Sequence, residues 1–325
     1  MGASFDSRPN VHAHDPSPPA DVQGAEEVGR IPDRGGPRPR AALWERLRWG
    51  PLLWLAGCGP SFGRLYAELV ARVERRRDPQ RRRVAESRIT RWLGVEGARA
   101  GRIFTEALRS EALEESEIAA ILHNGDPGVV PVALDGWAGR GRRPRIYGVF
   151  HAGSPVLVYL ELRRRFEPQL RLLARELGES NPMGDAKRRF AARKVDWVEK
   201  ATGEAFFDTR ATALLEAREH LLAGRPLFAA FDVPGDVVAR AGEVRLFGER
   251  ILLASGVFEL AALTGADIQL VFSRHGPAGV HAWFRPSLEA TTGEELLAGV
   301  GRELEDAIRS MPGENWFWPF FVPGR

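Results

Sequence analysis

The chain has 325 residues, 44% of them hydrophobic and 27% charged, an ordinary balance for one large or two small folded domains with a substantial core. The formal net charge is only +3, so despite a pI near 9.4 global charge gives no argument for nucleic acid as a partner. One cysteine, Cys58, excludes an intramolecular disulfide and a cysteine-rich metal site and fits a reducing compartment.

Residues 1–40 are rich in Pro, Gly, Asp and Arg and carry few large apolar side chains, the composition of a disordered tail. They lack the apolar core of a signal peptide, and Asp6 stands where a myristoylation signal after Gly2 needs Ser or Thr. From Ala41 to Asn124 the pattern is helical, with Leu43, Leu47, Leu52 and Leu55 interleaved with Trp44, Trp49 and Trp54, then Leu65, Leu69 and Val73 at four-residue spacing. The run Trp49–Phe62 is the nearest thing to a membrane segment, but Gly50, Pro51, Gly57, Gly59 and Pro60 interrupt it. It is too short for a simple span and is compatible with an interfacial segment. The arginine-rich stretch 72–83, broken at Pro79, reads either as a solvated helix end and loop or as a docking patch for an acidic carrier protein or anionic lipid headgroups.

From about residue 128 strands and helices alternate. The spacing predicts strands at 145–150, 169–174, 226–231, 243–247, 267–273 and 279–284, and helices at 155–165, 184–200, 209–223, 253–264 and 292–310. This implies an α/β layered domain over 126–325 behind a helical region at 41–125 that packs on it. The chain closes on Trp316-Phe317-Trp318-Pro319-Phe320-Phe321, which fits a core plug or the wall of an acyl pocket.

Two strand ends carry candidate chemistry. The run Arg145–Phe150 delivers His151, followed by a break at Gly153-Ser154-Pro155 and then a helix. Open α/β sheets bind and react at such carboxyl ends, and an imidazole there can act as a general base. A buried, hydrogen-bonded core histidine satisfies the same pattern. The strand Pro226–Phe231 likewise delivers Asp232, either as support for His151, if the two strands are neighbours, or as a turn cap. Arg210 and Arg245 are candidates for binding phosphate or other anionic groups, or are surface arginines. Ser154 precedes a proline and lacks a nucleophile elbow, so a serine-hydrolase reading is weak. No pair of the seven histidines has the i, i+4 spacing of a helical zinc site, and there is no nucleotide fingerprint.

In this order the chain resembles the late (secondary) acyltransferases of lipid A biosynthesis, within the lysophospholipid acyltransferase superfamily. The resemblance rests on His151 after an apolar strand, on Asn181-Pro182-Met183-Gly184-Asp185 before a helix, on the series from Asp208-Thr209-Arg210 through Gly224, Asp232, Phe247-Gly248 and Gly256 to Thr264-Gly265-Ala266, and on Pro312-Gly313-Glu314-Asn315-Trp316. It covers roughly residues 60–325. It implies a mixed central sheet flanked by helices, as in glycerolipid acyltransferases. The implied reaction moves an acyl chain from an acyl carrier protein or coenzyme A thioester to a hydroxyl or amine of a lipid or natural-product acceptor, with no further cofactor. In this resemblance His151 is the base. Arg210 or backbone amides near Gly153 stabilise the oxyanion, and Arg210, Arg245, Gly153 and Asn181 bind substrate. The implied location is cytoplasmic, with peripheral contact at an anionic inner membrane face. The chain departs from the family five residues after the histidine, where a carboxylate is replaced by Val156. The next acid, Glu161, is ten residues after His151, about 15 Å along a helix and twice the advance of five residues. Either a remote acid such as Asp232 or Asp185 takes the carboxylate's place, or the base acts unassisted, or the site is inactive and the scaffold serves as an acyl- or carrier-binding protein.

Overall fold

The computed structural model describes residues 39–324 apart from 138, 140, 142, 175–183, 208–210, 236–239, 290 and 291. Most of the expected tail, and the candidates Asn181 and Arg210, lie outside the described residues. Residues 38–325 form one compact unit.

The first third is helical. Helix α1 (Pro39–Leu47), a π-helical turn (Arg48–Leu52) around Gly50 and Pro51, and α2 (Leu53–Gly57) lead into α3 (Pro60–Arg77), α4 (Pro79–Leu93) and the 28-residue α5 (Gly97–Asn124). Pro79 falls at the first position of α4, where its missing N–H costs nothing, and the Asp78 side chain caps that helix by accepting from the Arg81 amide at 2.9 Å. The arginine-rich stretch is therefore a helix junction, and part of it is paired internally, Arg75 with Glu86 and Arg81 with Glu111.

The remainder is a mixed α/β layer. A six-stranded sheet has the order β1-β8-β7-β2-β4-β3, from β1 (Val132–Asp135), β2 (Arg145–Val149), β3 (Arg171–Leu173), β4 (Leu227–Ala230), β7 (Asp267–Gly276) and β8 (Gly279–Phe284). All neighbours are parallel except β7 and β8, the hairpin turning between Gly276 and Gly279. Helices α6 (Pro155–Arg165), α7 (Asp185–Thr202), α8 (Ala211–Leu222), α9 (Gly256–Thr264) and α10 (Gly293–Ser310) connect and flank it. Helix α10 starts on a Thr292/Glu295 capping box and buries Leu296, Leu297, Val300, Leu304 and Ile308.

The expected helix over 253–264 is shorter than its sequence suggests. Residues 249–254 form strand β6, paired with β5 (Ala241–Leu246) in a second, three-stranded sheet that β9 (Val322–Pro323) completes. Ile251 and Leu253 alternate inward from this strand, and that period of two prevails over the helical signal that begins only at Gly256. The short strand β1 also escaped the sequence pattern, because its four residues are a mixed edge strand with a single buried side chain.

Candidate active site at adjacent strands

Parallel pairing builds the site. Val149 of β2 is in register with Ala230 of β4 on one side and Val271 of β7 on the other. One residue further, Phe150, Phe231 and Phe272 form a buried aromatic row, and the Phe231 amide donates to the Val149 carbonyl at 2.9 Å. Two residues further stand His151, Asp232 and Ser273, brought side by side from positions far apart in the chain. Gly148 permits this packing, because a Cβ there would lie 2.3 Å from the Phe231 ring.

Asp232 is fully buried and grips His151 twice. Its Oδ1 lies 2.7 Å from the ring Nδ1, and its Oδ2 accepts the His151 backbone amide at 2.7 Å. A carboxylate opposite Nδ1 selects the tautomer protonated at Nδ1 and leaves the Nε2 lone pair available. The His151 side chain is 31% exposed, so the imidazole is neither sealed in the core nor free in solvent. Of the two readings of Asp232, support for His151 is the geometry present.

The loop after His151 is held from three directions. Ser273 Oγ donates to the Ala152 carbonyl at 3.0 Å and accepts the Ser154 amide at 3.2 Å. Gly153 has φ +61°, and a Cβ there would lie 2.5 Å from the Ser273 carbonyl, so only glycine fits without strain. The Ala152 amide is engaged by Phe150, and Ala152 pairs with Asn315 in an antiparallel bridge. From the C-terminal segment, the Trp316 amide donates to the His151 carbonyl at 3.0 Å, and the Phe317 ring lies 4.3 Å from the imidazole. The aromatic tail thus divides its roles. Trp318 and Phe321 plug the core, and Phe317 is half-buried against the histidine.

The position five residues after His151 supplies no acid. Val156 is half-buried and packs into apolar clusters that include Leu157 on one side and Phe190 on the other. Glu161 is engaged with Arg164 and Arg165 on its own helix. Asp185 is exposed at the start of α7. Arg245 is exposed on β5, in the smaller sheet, between the inward-facing Val244 and Leu246; the structure does not join it to the histidine. Ser154 is fully buried, which leaves no accessible serine nucleophile there.

Sequence reasoning missed the acidic face of α5. Glu114 is buried near His151. Burial raises its carboxyl above the usual range, with a further push from Glu117, while Lys194, His151 and the Val156 amide favour the ionised form. One helical turn away, Ser110 donates to Glu314 at 2.5 Å and accepts the Trp316 indole N–H at 3.1 Å. His275 joins them through Nδ1, 3.2 Å from Glu314, and its Nε2 lies 3.3 Å from Glu117 in an ion pair whose angle does not make a hydrogen bond. Burial alone would discharge this imidazole, but Glu117 and Glu314 prevail and push it up to about 10. The only sequence signal for this network was the unusual run of acids on an otherwise core-facing helix.

Two cavities lie elsewhere. One of about 370 Å³ is lined by Arg145, Gln269 and Arg285, and one of about 520 Å³ by Trp49, Trp54, Leu122, His123, Phe190 and Arg193. Among the described residues no group of three His, Cys, Asp or Glu side chains could hold a metal ion, and no helix is long and apolar enough to cross a membrane.

An α/β chain with a histidine–aspartate pair at the carboxyl ends of adjacent parallel strands is the class that fold and site define. No protein-family model matches the chain, and no curated protein matches it.

Proposed function

We propose that this protein is an acyltransferase that moves an acyl chain from a thioester to a hydroxyl or amine of a lipid or natural-product acceptor, in the manner of the lipid A late acyltransferases that its sequence resembles. The observation that carries the reading is the pair of hydrogen bonds that Asp232 accepts from His151, which orients an accessible imidazole despite the valine at position 156. In this reading Nε2 takes the proton of the acceptor as its oxygen or nitrogen attacks the thioester carbonyl. Buried Asp232 stabilises the imidazolium that results. Arg210 or backbone amides near Gly153 are assigned to the oxyanion. The tetrahedral intermediate then expels the thiolate, which recovers the proton from Nε2. Arg210 is assigned to anionic groups of the donor or acceptor, which would be an acyl carrier protein or coenzyme A thioester. These donors are cytoplasmic, and the reading places the protein in the cytoplasm, peripherally at the inner face of the cell membrane.

A second reading is favoured by the position of the apolar cavity at Trp49 and Phe190, away from His151: an acyl- or carrier-binding protein on the same scaffold. The two are separated by incubating the purified protein with acyl-coenzyme A or acyl carrier protein thioesters and a panel of acceptors, following free thiol and acylated product by mass spectrometry. Transfer should fall about 10²–10⁴-fold in both His151→Ala and Asp232→Asn. Equal transfer by wild type and His151→Ala would refute the assignment, thiol release without acylated acceptor would indicate a hydrolase, and thioester binding without turnover would favour the binder.

A further inference from the structure

Helices α1 to α3 leave a broad apolar surface uncovered. Leu43 and Leu47 on α1, Trp54 and Leu55 on α2, and Phe62, Leu65 and Leu69 on α3 are all exposed, Leu65 by 68% and Trp54 by 59%. The inner faces of α2 and α3 are already satisfied. Leu53, Ala56, Tyr66, Ala67 and Val70 pack with Ala112, Ile118 and Ala119 of α5. The exposed set is therefore not a core face left short of partners within the fold. A cluster of seven large apolar side chains within 27 consecutive residues is far from the scattered single exposures usual on a protein surface.

Its charge identifies the partner. On α3 the exposed positions 62, 65, 69, 72 and 76 fall within about 80° of helical arc, so that Phe62, Leu65 and Leu69 continue along the same stripe into Arg72 and Arg76. Arg46 on α1 and Arg64 on α3 are also exposed. The three acids in the stretch, Glu45, Glu68 and Glu74, are half-buried; Glu68 is held by Arg72 and Arg109 and Glu74 by Arg48. An apolar stripe bordered by arginine, with a tryptophan at its margin, matches the layered chemistry of an anionic bilayer, apolar below and phosphate above. A second copy of the chain fits poorly, because a twofold contact would set this patch against itself and bring arginines together without acids to face them.

We infer that α1, α2 and α3 form a docking face that inserts its exposed leucines, Phe62 and Trp54 into the interfacial layer of an anionic membrane while Arg46, Arg64, Arg72 and Arg76 meet the lipid phosphates. The inference supplies a surface for the peripheral location proposed above but does not depend on the acyl-transfer chemistry. Insertion would be shallow, since no helix here is long and apolar enough to cross a membrane.

The sole cysteine provides the test. Cys58 is exposed at the junction of α2 and α3, so an environment-sensitive fluorophore attached to it reports directly from the face. The full chain is titrated with phosphatidylcholine vesicles with and without phosphatidylglycerol, and binding is read by co-sedimentation and by the label's emission. The expected result is a blue shift and sedimentation with anionic vesicles. Both should weaken at least tenfold in Phe62→Ser/Leu65→Asp, and on the order of fivefold for each of Arg64→Ser and Arg76→Ser. These side chains are exposed, so the thermal midpoint and thioester turnover with a water-soluble acceptor should stay unchanged. Loss of turnover in His151→Ala with vesicle binding intact would separate the two proposals. Equal binding to neutral and anionic vesicles, no blue shift, or binding unaffected by the paired substitution would overturn the inference. So would a concentration-dependent dimer that Leu65→Asp abolishes in a protein that ignores vesicles.

Discussion

At Val156 the chain lacks the acid that its resemblance leads one to expect, yet His151 keeps a carboxylate. The reason is geometric. An acid five residues downstream reaches the imidazole from the first turn of α6, whereas Asp232 reaches it from the neighbouring strand, with one oxygen on Nδ1 and the other on the backbone amide. Val156 is then free to pack. Its side chain joins the clusters on either side of α6, and that environment would resist a charge. Val156→Asp should therefore lower stability by roughly 2–4 kcal/mol without raising the acyl-transfer rate, as read by denaturant unfolding alongside the product assay. A faster enzyme, or recovery of Asp232→Asn activity by the added acid, would show that Asp232 does not hold the orienting role.

At the scale of elements, α5 and the C-terminal segment form the back wall of the site. Ser110, His275 and Glu314 meet in one buried cluster, and Trp316 ties that cluster to the His151 carbonyl. The cluster has a charge sign that composition could not supply. His275 is raised from an ordinary imidazole value of 6.5 to about 10 by Glu117 and Glu314 against the opposing effect of burial. A group whose folded-state pKa is raised contributes stability in full below its unfolded value, and that contribution disappears as the pH climbs through the folded value. The thermal midpoint should thus fall between about pH 6.5 and pH 10, and the fall should be smaller in His275→Gln. Glu314 is held below the usual carboxylate range, burial being outweighed by His275 and Ser110, so its own contribution is lost on acidification. If wild type and His275→Gln show the same alkaline slope, the buried cation is not there.

Across the whole molecule, the helical region is tied to the C-terminal segment through α4. Arg88 of α4 is buried and donates to the carbonyls of Trp318 at 2.6 Å and Phe321 at 2.7 Å. Desolvation, with Arg91 nearby, lowers its guanidinium to about 10 against the pull of Glu249. This cation is matched to carbonyl dipoles of the tail, and it anchors the tail on which the Phe317 contact with His151 depends. Arg88→Ala should leave both carbonyls unpaired in a dry site and cost about 2–4 kcal/mol, measured by chemical unfolding. Protease cleavage in the last ten residues should accelerate, and transfer activity should fall with it. An unchanged cleavage rate would mean that the tail is held without Arg88.

The sequence by itself determined the alternation of strands and helices, the helix over 292–310, and the delivery of His151 and Asp232 to strand ends, because apolar periodicity and turn chemistry act over a few residues. The helical reading of 253–264 failed at its first residues for the same local reason, since a strand of alternating apolar residues runs directly into an apolar helix. Tertiary structure alone decided that β2, β4 and β7 are neighbours in one register, so that a histidine, an aspartate and a serine at positions 151, 232 and 273 stand side by side. It also decided which arginines are paired and which are exposed, and that His275 lies buried between glutamates. Register, burial and charge pairing depend on groups distant in the chain, and no local pattern encodes the distance between His151 and the carboxylate that orients it.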